Sequence, residues 1–549
     1  MTVIGIDLGT SNSVISYIKD GIPTIIPNAE GKSLTSSVVG FDKAGRIYIG
    51  ESAKYRKTIS AFKRKMGTDT VYCVYGHKYT PTMLSSFILQ KLKHDAEKFL
   101  GEAVNEAVIT VPAYFTDIAR QETQNAGEIA GLKVLRIINE PTAATLAYGF
   151  EQKEGESVMV WDLGGGTFDV SILDFSDGIY EVISTSGNIH LGGNDWTDAI
   201  YDENIFGKIP KNSYIRDPKH LRIFELLEFA KIELTTKKSA AININAKKIT
   251  INRSHFETLT SHLCDQIVQC VHQALKDAKI QPKDLDKIIL VGGATRMPKI
   301  RRLVMELTGK QPYVDIDPDI VVAMGASIQG GILSKTLKKT LLVDVIPLSL
   351  GIETQGGIFA KLISRNSKIP IAKEQIFTTA FDNQTEVDIH ILQGERKIAK
   401  HNISLGKFTL TEISEAPKGV AKITVTFSID INGILHVTAK DIYSENELTI
   451  AVQSKRLNAS DIAKLIQEAK RHYNSDQKDQ KKINAPIKLD QMIEAVEKSL
   501  KERKIRSGEN YRKIRLLIKK AKAKMYANKI NAKEFNSIST KIRQIMDRF

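Results

Sequence analysis

The sequence is poor in cysteine, poor in aromatics and free of long apolar runs, and each shortage narrows the reading. Three cysteines (Cys73, Cys264, Cys270) in 549 residues cannot all pair, which fits a reducing compartment. Cys264 and Cys270 fall in the helical stretch SHLCDQIVQCVHQAL with no ligand cluster beside them, so structural cysteines are favoured over a metal site. No run of about 18 apolar residues is present, which argues against a spanning helix. The opening MTVIGID reads as a strand and not as a basic-then-apolar secretory segment. A cytoplasmic chain with no membrane partner is expected. The net charge of +15 is concentrated: residues 457–549 hold 24 Lys and Arg against 11 Asp and Glu, a net of +13. No aromatics interleave with these cations and no nucleic-acid motif accompanies them, so no specific nucleic-acid partner is expected. Solvated helix faces are favoured, with salt-sensitive attraction of acidic partners as the alternative.

What the sequence does contain is a duplication. Asp7-Leu8-Gly9-Thr10 returns as Asp162-Leu163-Gly164-Gly165-Gly166-Thr167, 162 − 7 = 155 positions later. Each copy sits between an apolar strand and a second, alternating strand. Duplicated lobes that each offer a phosphate-gripping turn to a shared cleft are expected. Glycines let consecutive N–H groups approach an anion. Thr10, Ser11 and Thr167 add hydroxyl donors, and Asp7 and Asp162 supply hard oxygens for magnesium through its retained waters. The alternative, ordinary hairpin turns, is stronger for one copy alone than for two. A third glycine site, Gly292-Gly293 in LVGGATRMPKI, ends a strand where open α/β sheets bind ligands, with Arg296 available to stack over a base.

Length alone allows roughly three or four domains. Residues 1 to about 338 alternate strands and amphipathic helices, an α/β pattern. Short alternating strands follow, among them Ile423, Val425, Phe427 and Ile429 running up to Asn432-Gly433, the pair that a type I′ hairpin prefers. This marks an antiparallel β-domain. From about Asn458 the pattern is helical, with Ser460 as a cap, Ile462, Leu465, Ile466 and Ala469 on one face, and a break at Pro486 before a bundle near Ile487.

Seven strings carry a family resemblance: GIDLGTSNS (5–13), AFKRKMG (61–67), VITVPAYF (108–115), INEPTAATLAYG (138–149), DLGGGTFDVSI (162–172), ILVGGATRMPKI (289–300) and VIPLSLGIET (345–354). In this order and over essentially the whole length, the chain resembles the 70-kilodalton heat-shock chaperone family of the DnaK type. The resemblance implies a multidomain fold: an actin-like α/β ATPase domain (1–338), a linker (339–344), an antiparallel β-sandwich that binds peptide (345–454) and an α-helical lid (455–549). It implies an ATPase that uses ATP and Mg2+, with K+ also implied. Its partners are unfolded polypeptide clients, a J-domain co-chaperone and a nucleotide exchange factor.

Residue by residue, Asp7, Glu140, Asp162 and Asp169 match the family's carboxylates around magnesium and the attacking water. Lys63 matches its phosphate-facing lysine; on its own it reads as a solvated surface lysine. Gly9, Thr10, Ser11, Asn12, Gly164, Gly165, Gly166 and Thr167 match the phosphate turns. Glu228, Lys231, Thr235, Gly292, Gly293, Arg296 and Asp319 match the adenosine contacts. Pro141, Arg120, Leu341 and Leu342 match the coupling elements, although Pro141 equally suits a helix start. Ile352, Phe377, Ala380, Val387 and Ile389 match the peptide cleft; from periodicity alone they read as sandwich core. Lys339, Gln355, Asn194 and Lys418 depart from the family pattern, and the ATPase region is shortened between Lys63 and Pro112 and around Gly207 to His220. The expected function is an ATP-driven peptide-binding chaperone. A specialised form for a dedicated client, such as an iron–sulfur scaffold, is the alternative, and an actin-like filament ATPase or a sugar kinase is weaker.

Overall fold

Two six-stranded sheets repeat one plan. In the first, the order is Lys133–Asn139, Glu106–Val111, Val3–Asp7, Asn12–Lys19, Ile22–Ile26, with Thr35–Ser36 also paired to Asn12–Lys19. In the second it is Lys287–Val291, Glu156–Leu163, Phe168–Ser176, Ile179–Asn188, Leu341–Val345, Lys368–Ile369. Val3–Asp7 is antiparallel to Asn12–Lys19 and parallel to Glu106–Val111. Glu156–Leu163 is likewise antiparallel to Phe168–Ser176 and parallel to Lys287–Val291. The sequence duplication is therefore a duplication of strand pairing. The computed structural model describes residues 2–149, 155–176, 179–204, 215–216, 218–244, 247–313, 315–337, 341–442, 447–451, 489, 492–493, 495–497, 499–500, 507–526 and 532–546.

The strands Val3–Asp7 and Glu156–Leu163 are apolar because both of their faces are covered. Met159, Trp161, Leu163 and Phe168 pack into one core with the helix Ser261–Ala278. Val158 and Val160 point into another with Ala143, Ala144 and Leu146 of the helix Glu140–Tyr148 and with Val321, Val322 and Ala326 of Val321–Leu333. Helix starts follow local chemistry: the Thr116 hydroxyl accepts from the Ala119 amide and Thr80 from Met83, with Pro81 in the first turn of Pro81–Leu100.

The chain divides into two compact units, 1–349 with 362–388 and 409–463, and 350–361 with 389–408 and 464–549. The first unit includes the antiparallel sheet Ile371–Thr378, Lys422–Ile429, Leu435–Asp441, Glu447–Ala451. In the strand Lys422–Ile429, Ile423, Val425, Phe427 and Ile429 are buried, in the alternation expected. The hairpin turn differs from a two-residue type I′ turn. Five residues, 430–434, separate Ile429 from its partner Leu435, and Gly433 is left-handed at φ 79° while Asn432 is not. The Asp430 carboxylate explains the difference: it accepts from the amides of Asn432 and Ile434 and organises the wider loop.

The segment 341–345 is a strand of the second sheet, parallel to Ile179–Asn188 through Ile179↔Leu341, Tyr180↔Leu342 and Glu181↔Val343. Lys339, the Ser460 cap, the helical face of Ile462 to Ala469, and Pro486 with Ile487 lie outside the described residues. In the second unit, Leu350–Thr354 pairs with the end of Val387–Gln393. Leu489, Ile493, Val496 and Leu500, at helical spacing, pack with Ile514, Ile518, Ala521 and Ile542, the last four from the helices Glu509–Tyr526 and Ala532–Met546. Among the described residues, no helix is long and apolar enough to cross a membrane.

Candidate functional site

The three glycine sites converge. Ser11 and Thr10 fill the positions where side chains on Gly165 and Gly166 would begin: a Cβ at Gly165 would lie 2.1 Å from Ser11 Oγ, and one at Gly166 2.5 Å from Thr10 Cγ2. The two duplicated turns are thus in direct contact. Gly292, left-handed at φ 81°, presses on the Leu163 carbonyl, where a Cβ would come within 2.3 Å. Gly293 backs onto Asp319, and Arg296 bonds the carboxylates of Asp317 and Asp319 at 2.5 and 3.0 Å. Those two ion pairs fix the guanidinium, which stays 40% exposed.

The residues matched by resemblance to adenosine contacts join the same cluster. Lys231 is buried, and its ammonium donates to Gly193 O and to Glu228 Oε2, both at 2.7 Å; Thr197 donates to Glu228 as well. Thr235 lines a cleft with Lys231, Trp196 and Met297. Gly193 N donates to Gly164 O at 2.9 Å, which connects this group to the second turn. Asn194, one of the departures, sits 3.4 Å from the Ser11 hydroxyl that donates to it. Asn12 lies exposed at the start of its strand, paired with Ser36.

Three carboxylates, Glu140, Asp162 and Asp169, and one ammonium are buried beside the turns, and the carboxylate of Asp7 lies half-buried with them. Lys63 is 4% exposed and bonds Glu140 Oε1 at 2.5 Å, so it is not a solvated surface lysine. Burial, then the charge of Glu140, pushes Asp7 up to about 7, against the opposing pull of Lys63. Burial and Glu140 likewise raise Asp169 to about 8, although the main-chain amides of Tyr114 and Ala113 favour its ionised form. Asp162 is raised well above the usual carboxylate range by burial and then by Glu140, Asp169 and Asp7. Neither carboxylate oxygen of Asp169 accepts a hydrogen bond of good geometry. One lysine cannot neutralise four acids, so the site has the electrostatic demand of a cation site. Among the described residues, no three His, Cys, Asp or Glu side chains lie close enough to ligate a metal together. A divalent ion that keeps its own waters between itself and Asp7 and Asp162 fits that spacing.

The acidic cluster is continuous with a second one. Glu140 and Pro141 begin the helix Glu140–Tyr148. Just before it, the Asn139 side chain accepts from the Arg120 guanidinium at 2.5 Å, and Arg120 also bonds Ala113 O. In its first turn, the Thr142 hydroxyl donates to Asp344 at 3.3 Å. The 430–434 loop closes over this corner: Asn432 Oδ1 accepts from the Ile137 amide at 3.0 Å, and Asp117 Oδ1 accepts from the Leu435 amide at 2.8 Å. Leu342 is buried in the neighbouring strand. Asn139, Asp344 and Asp430 were not singled out from sequence, and Asn432 was singled out only as a turn residue. Single Asn and Asp residues in loops have too many ordinary uses to stand out.

The remaining predicted positions fall in both units and are described separately. Phe377, Ala380 and Val387 are half-buried in the first unit, and the Ala380 amide is held by Gln384. Ile352 and Ile389 are buried in the second, and Gln355 is exposed there. Arg64, absent from the sequence-derived set, is buried at 8% exposed beside the second turn. In comparison with known families, the chain matches the one described as Hsp70 protein over residues 3–548.

Proposed function

Because the chain belongs to the Hsp70 family, whose members are ATP-dependent chaperones and ATPases that use magnesium, we propose that it binds short, extended apolar segments of unfolded chains and releases them under the control of ATP. The observation that carries the reading is the meeting of three glycine sites around four clustered carboxylates, three of them buried, and the Lys63 ammonium, joined through Asn139, Pro141 and Thr142 to Arg120 and Asp344. In this reading residues 1–338 form an actin-like ATPase, 345–454 a peptide-binding sandwich and 455–549 a lid.

ATP with Mg2+ brings the bond to be broken and two positive charges. Everything else falls to the chain. Amides of the two turns, with the hydroxyls of Thr10, Ser11 and Thr167, hold phosphate oxygens. Lys63 places an ammonium where charge grows in the transition state, and Glu140 keeps that ammonium in position. Asp7 and Asp162 hold the hydrated ion, while Asp169, poorly satisfied in hydrogen bonds, is suited to orient water. Glu228, Lys231, Thr235 and Arg296 seat the nucleoside.

Ile352, Phe377, Ala380, Val387 and Ile389 take the client's side chains in this proposal. One buried leucine-sized group is worth about 1.5–3 kcal/mol, and a few hydrogen bonds at about 0.5–1.5 kcal/mol each bring the affinity to the micromolar range. A coupling of about 1–3 kcal/mol is enough to change such binding substantially. Family members generally work with J-domain proteins and exchange factors, and we place both among this chain's partners. The test is ATP hydrolysis with and without an unfolded apolar peptide, together with dissociation of a labelled peptide. Peptide-stimulated hydrolysis and ATP-accelerated release are expected. A dissociation rate indifferent to ATP removes the coupling.

A further inference from the structure

Arg64 follows Lys63 in the short 3-10 helix Phe62–Lys65 and is buried with it, yet it faces a different group. Its Nε donates to Gly166 O at 2.7 Å, and its two terminal nitrogens reach the Asp195 carboxylate at 3.2 and 2.5 Å. Asp195 is fastened in turn, since its Oδ2 accepts from the Gly192 amide at 2.7 Å. The pair is bidentate, so it fixes a direction as well as a distance.

Three successive carbonyls of the second turn are tied from outside. Gly164 O accepts from Gly193 N at 2.9 Å, Gly165 O from Asn194 N at 2.8 Å, and Gly166 O from Arg64. In a trans peptide the C=O and the next residue's N–H share one plane and point in opposite directions. Tying the carbonyls of 164, 165 and 166 therefore turns the N–H groups of 165, 166 and 167 to the other side, as a row of anion donors. Two of the three ties are main-chain amides, and only the third is a side chain.

We propose that Arg64, held in place by Asp195, is a positioning residue that sets the Gly166–Thr167 peptide plane and so aims the Thr167 N–H at a phosphate oxygen of the bound nucleotide. Its charge is already answered by Asp195, so its contribution is orientation and not net positive charge. The inference rests on the ATPase reading of this cleft. It adds a requirement that this reading does not have: lysine cannot replace Arg64, because an ammonium lacks the planar fork that bonds Gly166 O and Asp195 together.

The experiment uses the full chain and compares Arg64→Met, Arg64→Lys and Asp195→Asn with the unmodified protein. Single-turnover hydrolysis of ATP is measured alongside ATP affinity by titration. For Arg64→Met the hydrolysis rate is expected to fall about tenfold, as for a misaimed oxyanion donor, with ATP affinity changed less than about threefold. Arg64→Lys falls about as far, and Asp195→Asn falls in the same direction. The double variant Arg64→Met with Asp195→Asn falls no further than Arg64→Met, because both act through one tie.

A folded Arg64→Met protein that hydrolyses ATP at the unmodified rate, or full activity in Arg64→Lys, overturns the proposal. If Arg64→Met does not fold, Asp195→Asn keeps the guanidinium and loosens only its holder, and an unchanged rate there is equally decisive. Absence of hydrolysis in the unmodified protein is a different result, which removes the ATPase reading itself.

Discussion

Two stretches of this chain are rich in cations and behave oppositely. Phe62–Lys65 carries Lys63 and Arg64, 4% and 8% exposed, each held by a carboxylate at 2.5 Å. Glu509–Tyr526 carries seven Lys and Arg, and its Lys513–Glu509 pair leaves the two side chains 56% and 80% exposed. The same attraction is several-fold stronger where water is excluded, whereas exposed pairs are worth little and are screened by salt. The lesson is that two buried cations organise a site while seven that are mostly exposed dress a helix. Burial, not the number of charges, decides the matter.

The sharpest way to break the comparison is Lys63→Ala. It removes the ammonium that, among the described residues, pairs with Glu140, and leaves that acid buried and unanswered. Turnover is expected to fall about a hundredfold or more, measured in a single turnover with magnesium present. Hydrolysis at the unmodified rate would show that the buried lysine is structural only. Next in size is Asp162→Asn, which should lower turnover severely while raising the unfolding temperature of the nucleotide-free protein. The opposed effects follow from one cause. Asp162 is strained by burial and three neighbouring acids, so a neutral isostere relieves repulsion and at the same time removes a charge that the proposed hydrated cation needs. Lower stability in Asp162→Asn would contradict that account.

The acids of the cleft also set a pH dependence. Asp7 and Asp169 are raised from 3.8 to about 7 and about 8. Between the unfolded value and these folded values the native state holds more protons than the unfolded chain. Their contribution to stability is therefore full below about pH 4 and is lost as the pH rises toward 8. Without magnesium, the unfolding temperature attributable to these groups should decline across that window. Adding magnesium with ATP should flatten the decline by favouring the ionised forms, and parallel curves with and without magnesium would count against a cation at these acids.

The comparison also explains what the sequence could and could not reveal. The two glycine turns, their flanking strands and the change to short antiparallel strands were legible because period and turn chemistry are local. Contact between Thr10–Ser11 and Gly165–Gly166 was predictable only as a duplication, since nothing local brings together residues so far apart in sequence. Lys63 was legible through its family string, but its neighbour Arg64 was not, because a run of basic residues reads as solvated whether or not the fold buries it. The type I′ expectation at Asn432-Gly433 failed for a similar reason: Asp430 lies two residues before Asn432, and its side chain competed successfully for the turn amides.

A smaller effect is expected at the corner between Asp344 and the 430–434 loop. Asn432→Ala removes the acceptor of the Ile137 amide without touching the carboxylates of the cleft. Basal hydrolysis should persist, while ATP-driven release of a labelled peptide slows about threefold, a coupling loss of roughly the size of one hydrogen bond. A Pro141 substitution should act in the same direction. Unchanged peptide stimulation in both variants would detach this corner from the coupling.

The smallest effect belongs to the exposed helix. Arg512, Lys519 and Lys520 lie on its outer side, opposite the buried Ile514, Ile518 and Ala521. Changing Lys519 and Lys520 to Gln removes two charges that water and salt already screen, so peptide affinity should shift less than about twofold. The measurement is a peptide titration at low and at physiological salt, where the ratio between variants should stay near one. A large loss at low salt that disappears at high salt would show that these cations attract an acidic partner across solvent. In that case long-range charge would matter in the C-terminal helices as direct, buried contact does at Lys63.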